Sequence, residues 1–169
     1  MKKLLFILLF IPLISFCQNI VKYEIDEFTN KTIKNTSWEK LAWNSKINAL
    51  VRGRKVDENY YLEFKMILDN NVYSIDKGEV LLFKFSDDEI LKLKNLQHEL
   101  SSIGDGSVGM SGSGLFGINF TCGIKKADIE KLKNKQIFKL RIYTSKGYVD
   151  ESIKNKRSIK FMKLISLLE

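Results

Sequence analysis

Between Tyr60 and Lys94 the chain alternates apolar and polar positions in short runs. A period of two is that of a half-buried β-strand. Tyr60, Leu62, Phe64 and Met66 share one face of a predicted strand, with Tyr61, Glu63, Lys65 and Ile67 on the other. Leu81, Phe83 and Phe85 alternate with Leu82 and Lys84, and Leu91 and Leu93 with Lys92 and Lys94. Asp69-Asn70-Asn71 and Ser86-Asp87-Asp88-Glu89 separate the runs, because Asn and Asp bond their own main chain and tolerate left-handed backbone. A short strand over Val72–Ile75 leads into Asp76-Lys77-Gly78, a three-residue hairpin loop with Gly where positive φ is needed. Strands joined by turns this short predict an antiparallel meander rather than βαβ units.

The flanks extend the pattern. Ile20–Phe28 and Lys31–Trp38 read as strands about a Thr29-Asn30 turn. Glu39–Val51 fits a strand or a short helix, and Arg52-Gly53-Arg54-Lys55 reads as a polar break, as does Asp57-Glu58-Asn59. Leu115–Ile124 is a strand, and Lys126–Lys135 a short helix with Ile129 and Leu132 inward. Gln136–Thr144 is a strand with Phe138, Leu140 and Ile142 on one face and Ile137 and Lys139 on the other. After a turn at Ser145-Lys146-Gly147 the rhythm changes to helical spacing over Ser152–Leu168. Ser152 is placed to cap that helix, and Phe161, Leu164, Ile165 and Leu168 form its apolar stripe. The fold class is therefore α+β: an antiparallel sheet or sandwich with one short helix and a C-terminal helix packed on it.

The first residues stand apart. Lys2-Lys3, an apolar run from Leu4 to Ile14 and the sequence Ser15-Phe16-Cys17 match a secretory signal cleaved after Cys17. The run is shorter than the roughly 20 residues a permanent span requires, so integral insertion is disfavoured. A lipid anchor on Cys17 is the alternative, although Phe16 is large for the position before a lipidated Cys. The expected organisation is a signal over 1–17 and one β-rich domain over 18–169, periplasmic or secreted. Cleavage removes the single Pro and one of two Cys, leaving the thiol of Cys122. It also lowers the formal charge from +8 to +6.

The basic excess consists of 24 Lys and only 4 Arg, namely Arg52, Arg54, Arg141 and Arg157. Nucleic-acid readers favour the planar Arg fork, so nucleic acid is disfavoured. A Lys-rich surface suits an anionic envelope component or another protein. Lys154, Lys156, Arg157, Lys160 and Lys163 lie opposite the C-terminal apolar stripe, a pattern that also suits a membrane surface.

Candidate chemistry is sparse. Six of the ten glycines fall within Gly104–Gly117. Two stretches, Gly104–Gly109 and Gly112–Gly117, match G-x-G-x-x-G formally, but a dinucleotide fingerprint needs a following helix. The segment reads as a surface loop between strands, with Gly104, Asp105, Gly106, Gly112 and Gly114 as candidate binding positions. Trp38 and Trp43 read as core residues, or as an exposed platform for sugar rings. The single histidine, His98, paired with Cys122 would suit nucleophilic catalysis, yet Cys122 keeps step with Ile118 and Phe120 as a buried small hydrophobe would. The acids Glu24-x-Asp26-Glu27, Asp57-Glu58, Asp87-Asp88-Glu89 and Asp150-Glu151 mostly fall in predicted turns, and nothing selects a catalytic pair. No metal or cofactor motif is present.

The stretches Asp26-Glu27-Phe28-Thr29, Ser37-Trp38, Arg141-Ile142-Tyr143-Thr144-Ser145 and Gly147-Tyr148-Val149-Asp150 resemble a group of small exported bacterial proteins. That resemblance implies a signal peptide, a strand-rich body and a C-terminal helix. It carries no activity and no site residue. Three functions follow as expectations. The first is an exported, non-enzymatic binding or structural module of the bacterial envelope. The second is an envelope hydrolase using carboxylates near the loop 104–117. The third is a peripheral membrane binder using the basic helix.

Overall fold

The computed structural model describes residues 20–44, 47–68, 71–107, 112 and 114–169. The expected signal over 1–17, with Cys17, lies outside the described residues. The described strands are β1 (Ile20–Ile25), β2 (Thr32–Thr36), β3 (Glu39–Trp43), β4 (Asn48–Val56), β5 (Asn59–Ile67), β6 (Ser74–Ile75), β7 (Val80–Phe85) and β8 (Ile90–Asn95). They continue as β9 (Glu99–Leu100), β10 (Ser102–Ile103), β11 (Phe116–Ile124), β12 (Ile137–Thr144) and β13 (Gly147–Ser152). The described helices are α1 (Lys126–Asn134) and α2 (Asn155–Ser166).

One antiparallel sheet runs in the order β1-β2-β4-β5-β11-β8-β7-β12-β13, with β3 beside β4 and β10 beside β11. β6 and β9 form a separate ribbon. The α+β class holds. The second layer is helical rather than a second sheet: α2 lies against β3, β4 and β12, and α1 packs beside it. Period-two alternation explains the core. Tyr60, Leu62, Phe64 and Met66 of β5, Leu81, Phe83 and Phe85 of β7, and Ile118, Phe120 and Cys122 of β11 are all buried. Phe64 stacks on Phe120 at 4.8 Å, and Phe83 meets Phe161 of α2 at 5.7 Å. Each such side chain contributes about 1.5–3 kcal/mol by leaving water. The helical stripe of Phe161, Leu164, Ile165 and Leu168 is buried as expected, as are Ile129 and Leu132 of α1.

Four local expectations change. First, the meander is opened by β11, which pairs with β5 on one side and β8 on the other. Val72–Ile75 contributes only β6, which pairs with β9 rather than β7. Gly78 does take positive φ (82°), yet its N–H bonds Asn95 O at 2.8 Å instead of closing a hairpin. The buried Asn95 amide holds this corner by donating to the carbonyls of Ile75 and Asp76, each at 3.2 Å.

Second, Arg52–Lys55 is strand, not a break, and Glu39–Val51 resolves into β3 and the start of β4. Gly53 sits inside β4 because Leu168 packs on its bare Cα. A Cβ there would lie 2.7 Å from Leu168 Cδ1.

Third, β12 carries an irregularity between Ile137 and Lys139 that exchanges the predicted sides of Ile137 and Phe138, while Leu140 and Ile142 stay buried as expected. Ile137 is buried, whereas Phe138 is 58% exposed. The buried Ser158 hydroxyl of α2 accepts the Ile137 N–H at 2.8 Å, satisfying a donor that the shifted register leaves over.

Fourth, Ser152 ends β13 and caps nothing. The residue at the start of α2 is Lys154, which makes no side-chain cap bond. Asp150 lies in β13, not a turn, opposite Arg141 of β12. Arg141 grips it with Nε–Oδ1 at 2.5 Å and Nη2–Oδ2 at 2.7 Å. These hydrogen bonds hold the Asp150 carboxyl well below the usual Asp value.

Candidate functional site

The site originates in a break along one edge of β4. β2 pairs with β4 over Arg54–Val56, and β3 pairs with it over Asn48–Val51. Between them Ser37 and Trp38 leave the ladder. The Thr36 hydroxyl accepts the Gly53 N–H at 2.9 Å, replacing the backbone partner lost there. Trp38 is thereby placed over the outer face of the sheet. Arg52 lies 4.7 Å and Lys65 5.1 Å from its ring centroid. The ring is half-buried and does not join the core, which corrects its reading as a core residue.

The start of the Gly-rich segment, through Asp105, forms the facing wall. β10 pairs with the start of β11, Ser102 opposite Gly117 and Ile103 opposite Phe116. Gly104, Gly106 and Gly112 take positive φ. The loop is pressed onto the end of β5: a Cβ on Gly106 would stand 2.4 Å from Met66 O. Glycine is needed there for close approach. The Gly106 N–H donates to Asn119 Oδ1 at 3.1 Å, and the Asn119 amide donates to Asp105 Oδ1 at 2.9 Å. The Ser102 hydroxyl donates to Asp105 Oδ2 at 2.6 Å. Both oxygens of Asp105 are therefore held in place.

Between these walls lies a groove of about 380 Å³. Trp38 forms one side and Asp105 the other. Its floor is the outer face of β4, β5 and β11, presenting Arg52, Glu63, Lys65, Asn119 and Thr121, with Gln97 and Glu99 at the rim. The structure thus brings together Trp38 and Asp105, with Gly104 and Gly106 shaping the loop that carries Asp105. Gly112 lies against the Ile67 side chain and Gly114 faces open space, so neither lines the groove. Trp43 is not in it either: half-buried at the end of β3, its ring lies under the Lys40 ammonium at 4.4 Å. The sequence reading missed the floor residues. Their only signal was polar alternation on the outer faces of three strands whose adjacency depends on pairing.

The acids in the groove are already engaged. Glu63 accepts from Arg52 Nε at 2.6 Å and Arg54 Nη1 at 3.1 Å. Gln97 donates to Glu99. No group of three or more His, Cys, Asp or Glu able to hold a metal occurs among the described residues. His98 is exposed and bonds Asp76 at 2.8 Å, whereas Cys122 is buried on the inner face of β11. Burial pushes the Cys122 thiol up to about 12, far from the reactive thiolate. A Cys–His pair is therefore not assembled.

The Gly-rich segment runs into β11, not a helix, so the dinucleotide context is missing. The α2 stripe is buried against the domain, and Ile159 is the helix's exposed large hydrophobic residue. Among the described residues no helix is long and apolar enough to cross a membrane. No protein-family model, curated protein or solved structure matches the chain.

Proposed function

We propose that the protein is an exported binding module of the bacterial envelope, non-enzymatic, which takes a hydroxyl-rich ligand such as a glycan segment in the groove between Trp38 and Asp105. The observation that supports this reading is the composition of the groove. An aromatic ring stands beside amide, hydroxyl, carboxylate and guanidinium groups that are prepositioned by bonds to one another. Such a surface offers a sugar a ring to stack on and paired donors and acceptors without reorganisation. A hydrolase reading is less well served, because each acid is tied to a cation, an amide or a hydroxyl rather than facing a second acid across the groove. The signal-like N-terminus supplies the envelope context.

The test is a titration of purified protein with envelope polysaccharide fragments, followed by tryptophan fluorescence. Saturable binding that Trp38→Ala weakens tenfold or more, with Trp43→Phe unchanged, supports the proposal. Turnover of a glycan that Asp105→Asn or Glu99→Gln abolishes refutes it in favour of hydrolysis. Recovery of the native protein solely from the cytoplasm, with residues 1–17 intact, refutes the envelope assignment.

A further inference from the structure

A second cavity, of about 430 Å³, lies where β3 meets α2. Trp38 and Leu50 give it an apolar side. Lys40, Lys156, Arg157 and Lys160 surround that side, and Glu39 is the one acid among the lining residues. Glu39 approaches Lys160 at 3.8 Å. Arg157 Nη2 donates to Trp43 O at 3.3 Å, which fixes the guanidinium and leaves its other N–H groups to serve a ligand. No carboxylate lies within ion-pair distance of Lys40 or Lys156 among the described residues. Some lysines elsewhere are matched: Lys131 and Lys135 share Glu89, Lys139 meets Asp150, and Lys84 meets Asp88. What sets this cavity apart is that four cationic side chains line one opening with a single carboxylate.

Helix α2 sharpens the anomaly. A helix N-terminus carries positive partial charge and is stabilised by acids in its first turn. α2 has none, and places Lys156 and Arg157 there instead. Like charges gathered around one opening raise the free energy of the empty protein and lower that of an anion-bound one.

We propose that this cavity binds a phosphate monoester carrying an apolar or aromatic substituent. Three ammonium groups and a guanidinium suit a doubly charged group with several acceptor oxygens. Trp38 and Leu50 suit the attached hydrocarbon or ring. The ester has two sources, a lipid headgroup or a small soluble phosphate. The proposal does not rest on the groove reading, since only Trp38 is common to the two cavities.

The experiment is calorimetric titration of the purified protein at low salt with hexyl phosphate, inorganic phosphate and hexanol. Hexyl phosphate is expected to bind at least about tenfold more tightly than either fragment, with affinity falling as salt rises. Lys156→Glu, at an exposed position in the first turn of α2 where an acid suits the helix N-terminus, is expected to weaken it about tenfold or more. Asp105→Asn, in the groove, is expected to leave it unchanged. Cosedimentation with phosphatidylcholine vesicles containing phosphatidate then distinguishes the sources: binding assigns the lipid, and its absence beside retained hexyl phosphate binding assigns the soluble ester. No binding of hexyl phosphate, binding no tighter than inorganic phosphate, or binding indifferent to Lys156→Glu overturns the proposal. Absence of glycan binding by the wild-type protein, with hexyl phosphate binding present, overturns the groove reading alone.

Discussion

The contact of Gly53 with Leu168 yields a prediction whose sign changes with background. A Cβ built on Gly53 lies 2.7, 3.0 and 3.0 Å from three carbons of the Leu168 side chain. Carbon pairs sit comfortably at about 3.5–4.0 Å, so Leu168 must move by roughly 1 Å or change rotamer. Leu168 is fully buried, so little space receives it. Overpacking of this kind costs about 1–3 kcal/mol. Against it, Ala in a strand is favoured over Gly by about 0.5–1 kcal/mol. Gly53→Ala is therefore expected to destabilise the protein by up to about 2.5 kcal/mol.

Leu168→Ala removes the obstructing carbons and by itself costs about 2–5 kcal/mol. In that background Gly53→Ala meets no obstruction, retains its strand advantage and fills part of the cavity. It should stabilise by about 0.5–1 kcal/mol. Urea unfolding monitored by circular dichroism, over the full double-mutant cycle, measures both signs. If Gly53→Ala destabilises equally in the two backgrounds, Leu168 is not the reason for glycine in β4, and the account of that strand fails.

Three further outcomes follow from other contacts. Ser158→Ala leaves the buried Ile137 N–H without its acceptor and should cost about 1–3 kcal/mol in urea unfolding, whereas Ser166→Ala, exposed on the same helix, should cost little. The Asp150 carboxyl has a folded value below its unfolded one, chiefly through its hydrogen bonds from Arg141. Its contribution is thus fully present above the ordinary Asp value of about 4 and is lost as pH falls toward the folded value. Asp150→Asn should lower the thermal midpoint at pH 7 while flattening its decline below pH 4, and an unchanged acid limb would refute the pairing. Cys122, buried and with its thiol raised to about 12, should resist a thiol-specific disulfide reagent at pH 8 in a Cys17→Ser background and react fully once unfolded in urea. Fast labelling of the native protein would contradict its placement.

Where one face of an element is buried and the other wet, the sequence already tells the two apart. β5, β7, β8 and α2 are of this kind, and Phe64, Phe83, Leu93 and Phe161 fall on the expected sides. What the pattern lacks is the identity of neighbours. Nothing within Phe116–Ile124 says that it separates β5 from β8, and the groove floor exists only because it does. Phe138 shows a second limit: a single irregularity reversed the sides of Ile137 and Phe138, and the group that satisfies the freed Ile137 N–H, the Ser158 hydroxyl, lies on another element. Gly53 shows a third. A glycine between two arginines reads as a break until Leu168, distant in sequence, is seen to need the space. Of the candidate site residues, Trp38 and Asp105 were identifiable by type alone, while Arg52, Glu63, Asn119 and Thr121 required strand pairing to be recognised.

The departures from local rules in this chain are of two kinds. Gly53 departs from strand preference and Gly106 is required by a close approach, and each is accounted for by an atom that a Cβ would strike. Packing explains them fully, so they call for no ligand. The break at Ser37-Trp38 and the cationic start of α2 are different. The first lifts a large aromatic out of the core onto a wet face, forgoing burial that favours folding. The second sets positive side chains against the positive end of a helix. The cations of Arg52 and Lys65 over the Trp38 ring offset the first only in part, no acid in the first turn offsets the second, and both adjoin the same residue, since Trp38 lines the groove and the basic cavity alike. Local violations that folding does not fully compensate are expected where a sequence serves binding rather than stability. Trp38→Leu should therefore leave stability within about 0.5 kcal/mol of wild type while impairing glycan and phosphate-ester binding together. A large loss of stability with both affinities intact would return Trp38 to a structural role and remove the reason for regarding this edge of the sheet as the functional one.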